Sequence, residues 1–296
     1  MLSNTGYRND FEVDPWVHWL GKLVEQGDGL CRRAGGWETR MLSDPLAAME
    51  IDRPVYIAGL ARSGTTKLLE ILSWHDDVVT HRYRDFPLLH VPYLWNRFLD
   101  FVPRRHLESR ERAHRDGIYI NPDSPEAFEE VLWMSFFPQL HDPAKNSVLD
   151  AHTSRPDFES FYRDHIRKLL LVRGGSRYVS KGNYNITRLE YLLRIFPGAR
   201  FIIPVREPVW HIASLMKQHK LFCKAQKDNP KALTHLRRAG HFEFGLDRRP
   251  INTGDHEEVE RILALWNSGR EVDGWARYWD HTHAFIADRL AHNPAL

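Results

Sequence analysis

The stretch Val55-Tyr56-Ile57-Ala58-Gly59-Leu60-Ala61-Arg62-Ser63-Gly64-Thr65-Thr66-Lys67-Leu68-Leu69-Glu70-Ile71-Leu72 constrains this chain more than any other. The apolar run from Val55 to Leu60 suits a central strand covered on both faces. Leu68, Leu69, Ile71 and Leu72 then recur at helical spacing. Between them, Arg62 to Thr66 place backbone amides, hydroxyls and a cation at a helix N-terminus. Unpaired N–H groups and the positive end of the helix dipole converge there, which is where a phosphate or sulfate binds best. The chain is therefore expected to bind a phosphorylated small molecule.

Which one turns on a departure from a common pattern. A nucleotide-triphosphatase loop reads G-x-x-x-x-G-K-[ST], with the Lys on the β- and γ-phosphates. Gly59 and Gly64 keep that separation, but Thr65 occupies the Lys position and the cation has moved forward to Arg62. A kinase or GTPase without that Lys loses much of the charge neutralisation on which phosphoryl transfer depends. Arg-Ser-Gly-Thr-Thr after a strand instead resembles the 5′-phosphosulfate loop of sulfotransferases that use 3′-phosphoadenosine 5′-phosphosulfate (PAPS) and release 3′,5′-adenosine bisphosphate (PAP). The likeness is closest to the prokaryotic branch and to the protein-tyrosine sulfotransferases, which carry Arg in this loop. It covers roughly Arg53 to Gln218.

Two further segments extend the resemblance. Gly198-Ala199-Arg200-Phe201-Ile202-Ile203-Pro204-Val205-Arg206-Glu207-Pro208 looks like a second buried strand, with Pro208 opening a helix from Val209 to about Lys220. The family places an Arg at the end of such a strand and a Ser eight residues on, which together grip the donor's 3′-phosphate. Arg206 and Ser214 have that spacing, and a guanidinium is a planar fork of donors suited to phosphate. The strand Arg177-Tyr178-Val179-Ser180-Lys181 ends in the Lys that the resemblance puts near the transferring sulfuryl group. By this likeness Arg62, Ser63, Gly64, Thr65 and Thr66 cradle the 5′-phosphate, and Arg62 and Lys181 stabilise the leaving group.

Strands alternating with helices imply an α/β, P-loop-like three-layer fold with a mainly parallel central sheet flanked by helices, its ligands at the carboxyl ends of the strands. The 296 residues suit one domain. Within it a Trp-rich helical N-terminal extension runs over 1–50, starting near Asp14-Pro15. A PAPS-binding core follows over 53–220, with helices near Pro125–Phe137, Asp157–Val172 and Ile186–Phe196. A polar, turn-rich cap and C-terminal helices, the latter over Glu257–Leu290, make up 221–296. A formal net charge of +2 gives no sign of a nucleic-acid partner, and basic pairs such as Arg104-Arg105 read as local contacts. Two cysteines, Cys31 and Cys223, build no disulfide framework. No metal motif stands out, and no metal is expected. Neither a membrane-spanning run nor a signal peptide is legible, so a cytoplasmic location is expected.

The acceptor, a small molecule, glycan, lipid or peptide, offers a hydroxyl or amine and needs a base. Related enzymes use a His or Glu on the segment after the second strand, here Val78 to Pro87. The tyrosylprotein enzymes carry Glu about where Tyr83 sits. Asp85 is the nearest carboxylate and the first choice for the base, ahead of His81 and His90, with Glu130 further off. A salt bridge to Arg82 or Arg84 is the plain alternative for Asp85. The family's cap, which closes on the 3′-phosphate, falls at Phe242 to Asn252. Arg248 or Arg249 could serve it, or could lie on a solvated turn. A P-loop nucleotide kinase and a non-catalytic nucleotide-binding module are the competing readings.

Overall fold

A computed structural model describes residues 11, 13, 15–102 and 109–296. Asp14 of the expected helix start and the pair Arg104-Arg105 lie outside the described residues. Helices α1 (Pro15–Gln26), α2 (Asp28–Met41) and α3 (Ser43–Ala47) precede strand β1 (Val55–Ala58). After it come α4 (Thr65–Leu72), β2 (Val78–Val79), α5 (Pro92–Phe101) and a small hairpin of β3 (Arg110–Glu111) and β4 (Tyr119–Ile120). Helices α6 (Glu129–Phe136) and α7 (Pro156–Arg173) lead into β5 (Arg177–Gly182), α8 (Leu189–Ile195), β6 (Arg200–Ile202) and α9 (Pro208–Asp228). Helices α10 (Pro230–Arg238), α11 (His256–Asn267) and α12 (Glu271–His292) complete the chain.

The main sheet has the order β2-β5-β1-β6, and every pair in it is parallel. Successive side chains on a strand point to opposite faces, and the burial follows that period of two. Tyr56 and Tyr178 enter one core with Trp133 of α6 and Phe158, Tyr162 and Ile166 of α7. Ile57 and Val179, one residue on, enter another with Leu68, Leu69 and Leu72 of α4. Helices therefore cover both faces of the sheet, and the α/β three-layer architecture is as the sequence pattern implies.

Helix α9 and the C-terminal helical stretch differ from the expectation, and so does α10, which occupies Pro230–Arg238 of the stretch read as turn-rich. Helix α9 runs on past Lys220 to Asp228, into the stretch read as turn-rich. Nothing between Leu221 and Lys227 breaks a helix, and the stop comes at Asn229-Pro230, where proline disfavours the helical conformation of the residue before it. Its start is as read: Pro208 sits in the first turn and the Glu207 carboxylate caps the helix by accepting from the Trp210 amide at 3.0 Å. The C-terminal helical stretch is two helices, parted at Gly269, which takes φ +80°.

On α9, His211, Ser214, Leu215 and Gln218 share the face turned inward, at the i, i+3, i+4, i+7 spacing of one helix side. His211 is fully buried. Its Nδ1 accepts from Trp279 Nε1 of α12 at 3.0 Å, and indole nitrogen only donates. The proton is thereby fixed on Nε2, which donates to the Ala61 carbonyl at 2.8 Å. Burial pulls the imidazole down to about 4, against the opposing effect of that backbone bond. In the window between about 4 and the unfolded value of 6.5, the unfolded chain binds the extra proton, so stability falls as the pH drops. Between pH 7 and pH 5 this one group should remove about 2 kcal/mol. Urea denaturation at the two pH values checks it: His211→Gln, which keeps a donor but cannot titrate, should show a drop smaller by about that amount.

Candidate active site

The parallel register puts the ends of three strands side by side. Ala58 lies opposite Gly182 and Ile57 opposite Lys181, while Ile57 also pairs with Ile202 of β6. The chain leaves β1 through a turn in which Arg62 has φ +72° and Gly64 φ +101°. Glycine takes that conformation without cost, but arginine does not, and a strained non-glycine residue of this kind marks a site held in place by its surroundings. Helix α4 then starts at Thr65 with no side-chain cap. The buried Ser63 hydroxyl oxygen has no hydrogen-bond partner among the described residues. Among the described residues, then, no side chain caps this helix start and a buried hydroxyl lacks a partner at the same turn, as an anion-binding cradle requires.

Arg62, Arg206 and Ser214, expected at opposite ends of a donor, meet at this loop. Arg62 Nε donates to Ser214 Oγ at 3.2 Å, and Arg206 Nη1 donates to the Arg62 carbonyl at 3.3 Å. Arg206 is exposed, whereas the Arg62 side chain is 17% accessible. Lys181 is buried at the end of β5 and lines the same cavity as Arg62, Thr65 and Thr66. Burial lowers its basicity, Arg112 and Arg62 add to that, and the carboxylates of Glu126 and Glu243 work against it.

The cavity also holds residues the sequence did not single out: Arg112 and His114 from the hairpin, Glu126 before α6, and His241 and Glu243 after α10. Glu126 is buried, receives the Ala127 amide on Oε1 at 2.7 Å and accepts the Tyr83 hydroxyl on Oε2. Burial works to raise it, but Lys181 and Arg112 outweigh that and hold the carboxylate below its ordinary value. Glu243 accepts from Asn183 Nδ2 at 2.6 Å. Against the burial that would discharge it, Glu243 raises the basicity of His241, 3.6 Å away. Tyr83 was the one pointer in the sequence, since it stands where a related enzyme class carries Glu, and its hydroxyl leads to Glu126.

The base expected at Asp85 is not in the cavity. Its carboxylate is 1% exposed and receives Arg173 Nη2 at 2.6 Å on both oxygens, the Arg82 amide at 2.8 Å and Asn96 Nδ2 at 3.1 Å. The ion pair is with Arg173 of α7, distant in sequence, rather than with the flanking Arg82 or Arg84. That guanidinium and His81 outweigh burial and hold Asp85 well below the usual carboxylate range. His81 faces Asp85 and His165, and His90 faces Ser135 and Asp28. Glu130 is held by Arg188 at 2.7 and 2.8 Å and by His141 at 2.7 Å. None of these four lines the cavity that holds Lys181. The cap arginines are likewise spent. Arg248 forms a two-pronged pair with Glu271 at 2.7 and 3.0 Å between the rings of Trp266 and Trp275. Arg249 pairs with Asp247 at 2.9 Å, donates to the His141 carbonyl at 3.1 Å and lies over Phe242.

Residues 54–248, more than half of the chain, match the model of the sulfotransferase family. Among solved structures, sulfotransferase STF1 from Mycobacterium tuberculosis H37Rv is similar at 14% identity over 95% of this chain and 94% of that one, with a TM-score of 0.42. Sulfotransferase STF9 from Mycobacterium avium is similar at 17% identity over 87% of this chain and 73% of that one, with a TM-score of 0.38. No curated protein matches the chain. With its strand-turn-helix unit inside a matched segment that spans more than half of its length, the chain belongs to the sulfotransferase family.

Proposed function

We propose that this sulfotransferase moves a sulfuryl group from PAPS to a hydroxyl or amine of its acceptor, and that the chain works as one catalytic unit. The observation that carries this reading is the meeting of Arg62, Arg206 and Ser214 at one loop, beside an uncapped helix start and an unpartnered Ser63 hydroxyl. These donors match a ligand with anionic groups at two ends, and Arg206 with Ser214 is the pair assigned to the 3′-phosphate. The 5′-phosphate falls to Ser63, Gly64, Thr65, Thr66 and Arg62. No helix among the described residues is long and apolar enough to cross a membrane.

The chemistry asks for charge stabilisation and one proton transfer. As the acceptor oxygen attacks sulfur in line, the bond from sulfur to the 5′-phosphate oxygen breaks and charge gathers on that oxygen. By analogy with phosphoryl transfer, preorganised cations facing the developing charge supply most of the rate. Arg62 and Lys181 are assigned to that task. The base falls to Glu126 in place of Asp85. It is ionised at neutral pH, lines the cavity beside Lys181, and each oxygen keeps a lone pair beyond the bonds it already accepts. The lost acceptor proton goes to Glu126 as the new sulfur–oxygen bond forms.

Two measurements check the assignment. Arg206→Ala should weaken PAP binding ten- to a hundred-fold, roughly the loss of one charge-assisted phosphate contact, and leave 5′-AMP binding nearly unchanged. Equal losses for both ligands place Arg206 away from the 3′-phosphate. Glu126→Gln should cut turnover about 10²–10⁴-fold with PAP affinity held within a few-fold. Asp85→Asn, in contrast, should lower thermal stability and affect turnover no more than it affects folding. If Glu126→Gln keeps full turnover, the base lies elsewhere.

A further inference from the structure

One carboxylate sits among the cations of the donor site. Asp116 Oδ2 accepts from Arg62 Nη1 at 2.5 Å, and Asp116 is gripped by Arg112 through Nε at 3.0 Å and Nη2 at 2.5 Å. Arg112 also donates from Nη1 to Thr66 Oγ1 at 3.2 Å, so it touches the phosphate loop directly. The Arg112 and Asp116 side chains are 7% and 11% accessible. Both arginines line the cavity that holds Lys181.

The hairpin is shaped to deliver this carboxylate. Arg112 N donates to Ile118 O at 3.0 Å, Arg115 N to Arg112 O at 2.9 Å, and Gly117 N to Glu111 Oε1 at 2.7 Å. Arg115 at φ +48° and Gly117 at φ +77° flank Asp116 in a tight turn. The two guanidiniums outweigh its partial burial and hold the Asp116 carboxyl well below the usual range, so it is charged at any working pH. Two arginines this shielded from water would repel each other without an anion between them.

We propose that Arg112 is a second arginine of the donor's phosphosulfate site, and that Asp116 stands where the donor's anionic oxygens go when the donor binds. The assignment rests on the donor-binding reading above and names a residue pair that no motif in the chain marks. Arg62 and Arg112 would exchange one anion for another as the donor enters. Asp116 must then swing away, because a carboxylate beside sulfuryl and phosphate oxygens adds like-charge repulsion in a poorly hydrated space. The displaced carboxylate lowers the apparent affinity by the fraction of molecules in which the site is open.

The test is calorimetric binding of PAP, and separately of inorganic pyrophosphate, to the full chain and to two variants, with melting temperatures of the unliganded proteins. Asp116→Asn keeps the shape and removes the charge. It should lower the melting temperature yet bind both ligands about tenfold more tightly, the size of one charge-assisted contact no longer in competition. Arg112→Gln should weaken both about tenfold. Unchanged or weaker binding by Asp116→Asn overturns the stand-in role, and a merely loosened fold gives weaker binding, so the sign separates the two. Unchanged binding by Arg112→Gln removes Arg112 from the site. If the wild type binds pyrophosphate but not PAP, the PAPS reading falls and the pyrophosphate series alone decides the hairpin assignment. If it binds neither, the loop is no anion site and both fall.

Discussion

Three consecutive carbonyls hold the phosphate loop, and the rest of the site depends on them. Leu60 O accepts the Ser63 amide at 3.2 Å, Ala61 O accepts His211 Nε2 at 2.8 Å, and Arg62 O accepts Arg206 Nη1 at 3.3 Å. A turn that offers its amides to a ligand must find donors for its carbonyls on the opposite side, since buried backbone groups without partners cost as much as lost hydrogen bonds. Here those donors come from the loop itself, from α9 and from the segment that leads into α9. His211 can serve only while neutral, because Trp279 needs Nδ1 as an acceptor. Burial keeps it so. The left-handed conformation at Arg62 is affordable because these bonds fix it, a cost of order 1–3 kcal/mol set against several contacts.

The cavity behind the loop buries many charges, and it does so by matching them. Arg62 and Arg112 share Asp116, while Lys181 lies among Glu126 and Glu243, with His241 against Glu243. Removing charges from water costs several kcal/mol each unless partners and hydrogen bonds replace the solvent. Two of the cations, Arg62 and Arg112, already converge on one carboxylate, so they are oriented in advance for an anion. The matching of buried charges also explains why Lys181 and Glu126 move in the same direction, each below its ordinary value. Burial dominates the lysine, while the cationic neighbours dominate the glutamate.

Legibility in the sequence followed the range of the interactions. The unit from Val55 to Leu72 was readable because strand, turn and helix are set by neighbours within a few residues. That Ser214 and Arg206 both reach Arg62 follows from helix geometry, which turns an eight-residue interval into a known rotation and brings Ser214 onto the face that carries His211. The partner of Asp85 was not legible because proximity in sequence says nothing about which distant cation will claim a carboxylate, and Arg173, 88 residues away, does. The contacts of Arg248 and Arg249 with tryptophans, a phenylalanine and acids were likewise set by the tertiary fold. Arg112, Asp116 and Glu126 sit in a stretch with short strands and no long periodic element, so only the tertiary fold places them. The length of α9 shows that polarity alone does not end a helix: it runs on until the breaker Asn229-Pro230.

Ser214 has a role that motif spacing alone does not express. Its Oγ accepts from Arg62 Nε, so its own hydrogen is left to point onward. On the proposed reading, the donor's 3′-phosphate receives that hydrogen, and the chain runs from the guanidinium through the hydroxyl to the anion. Hydrogen bonds in series polarise one another in a low-dielectric setting, so the serine passes on part of the arginine's charge. Arg206 adds its remaining N–H groups from the solvent side, since a guanidinium has five and the Arg62 carbonyl uses one. The two ends of the donor site are thus joined through Arg62: its carbonyl holds Arg206, its Nε holds Ser214, and its Nη1 holds Asp116. Occupation of either end bears on the same residue, and the residue is already strained. On the proposed reading, geometry at Arg62 would therefore couple binding at the 3′-phosphate to alignment of the transferring group.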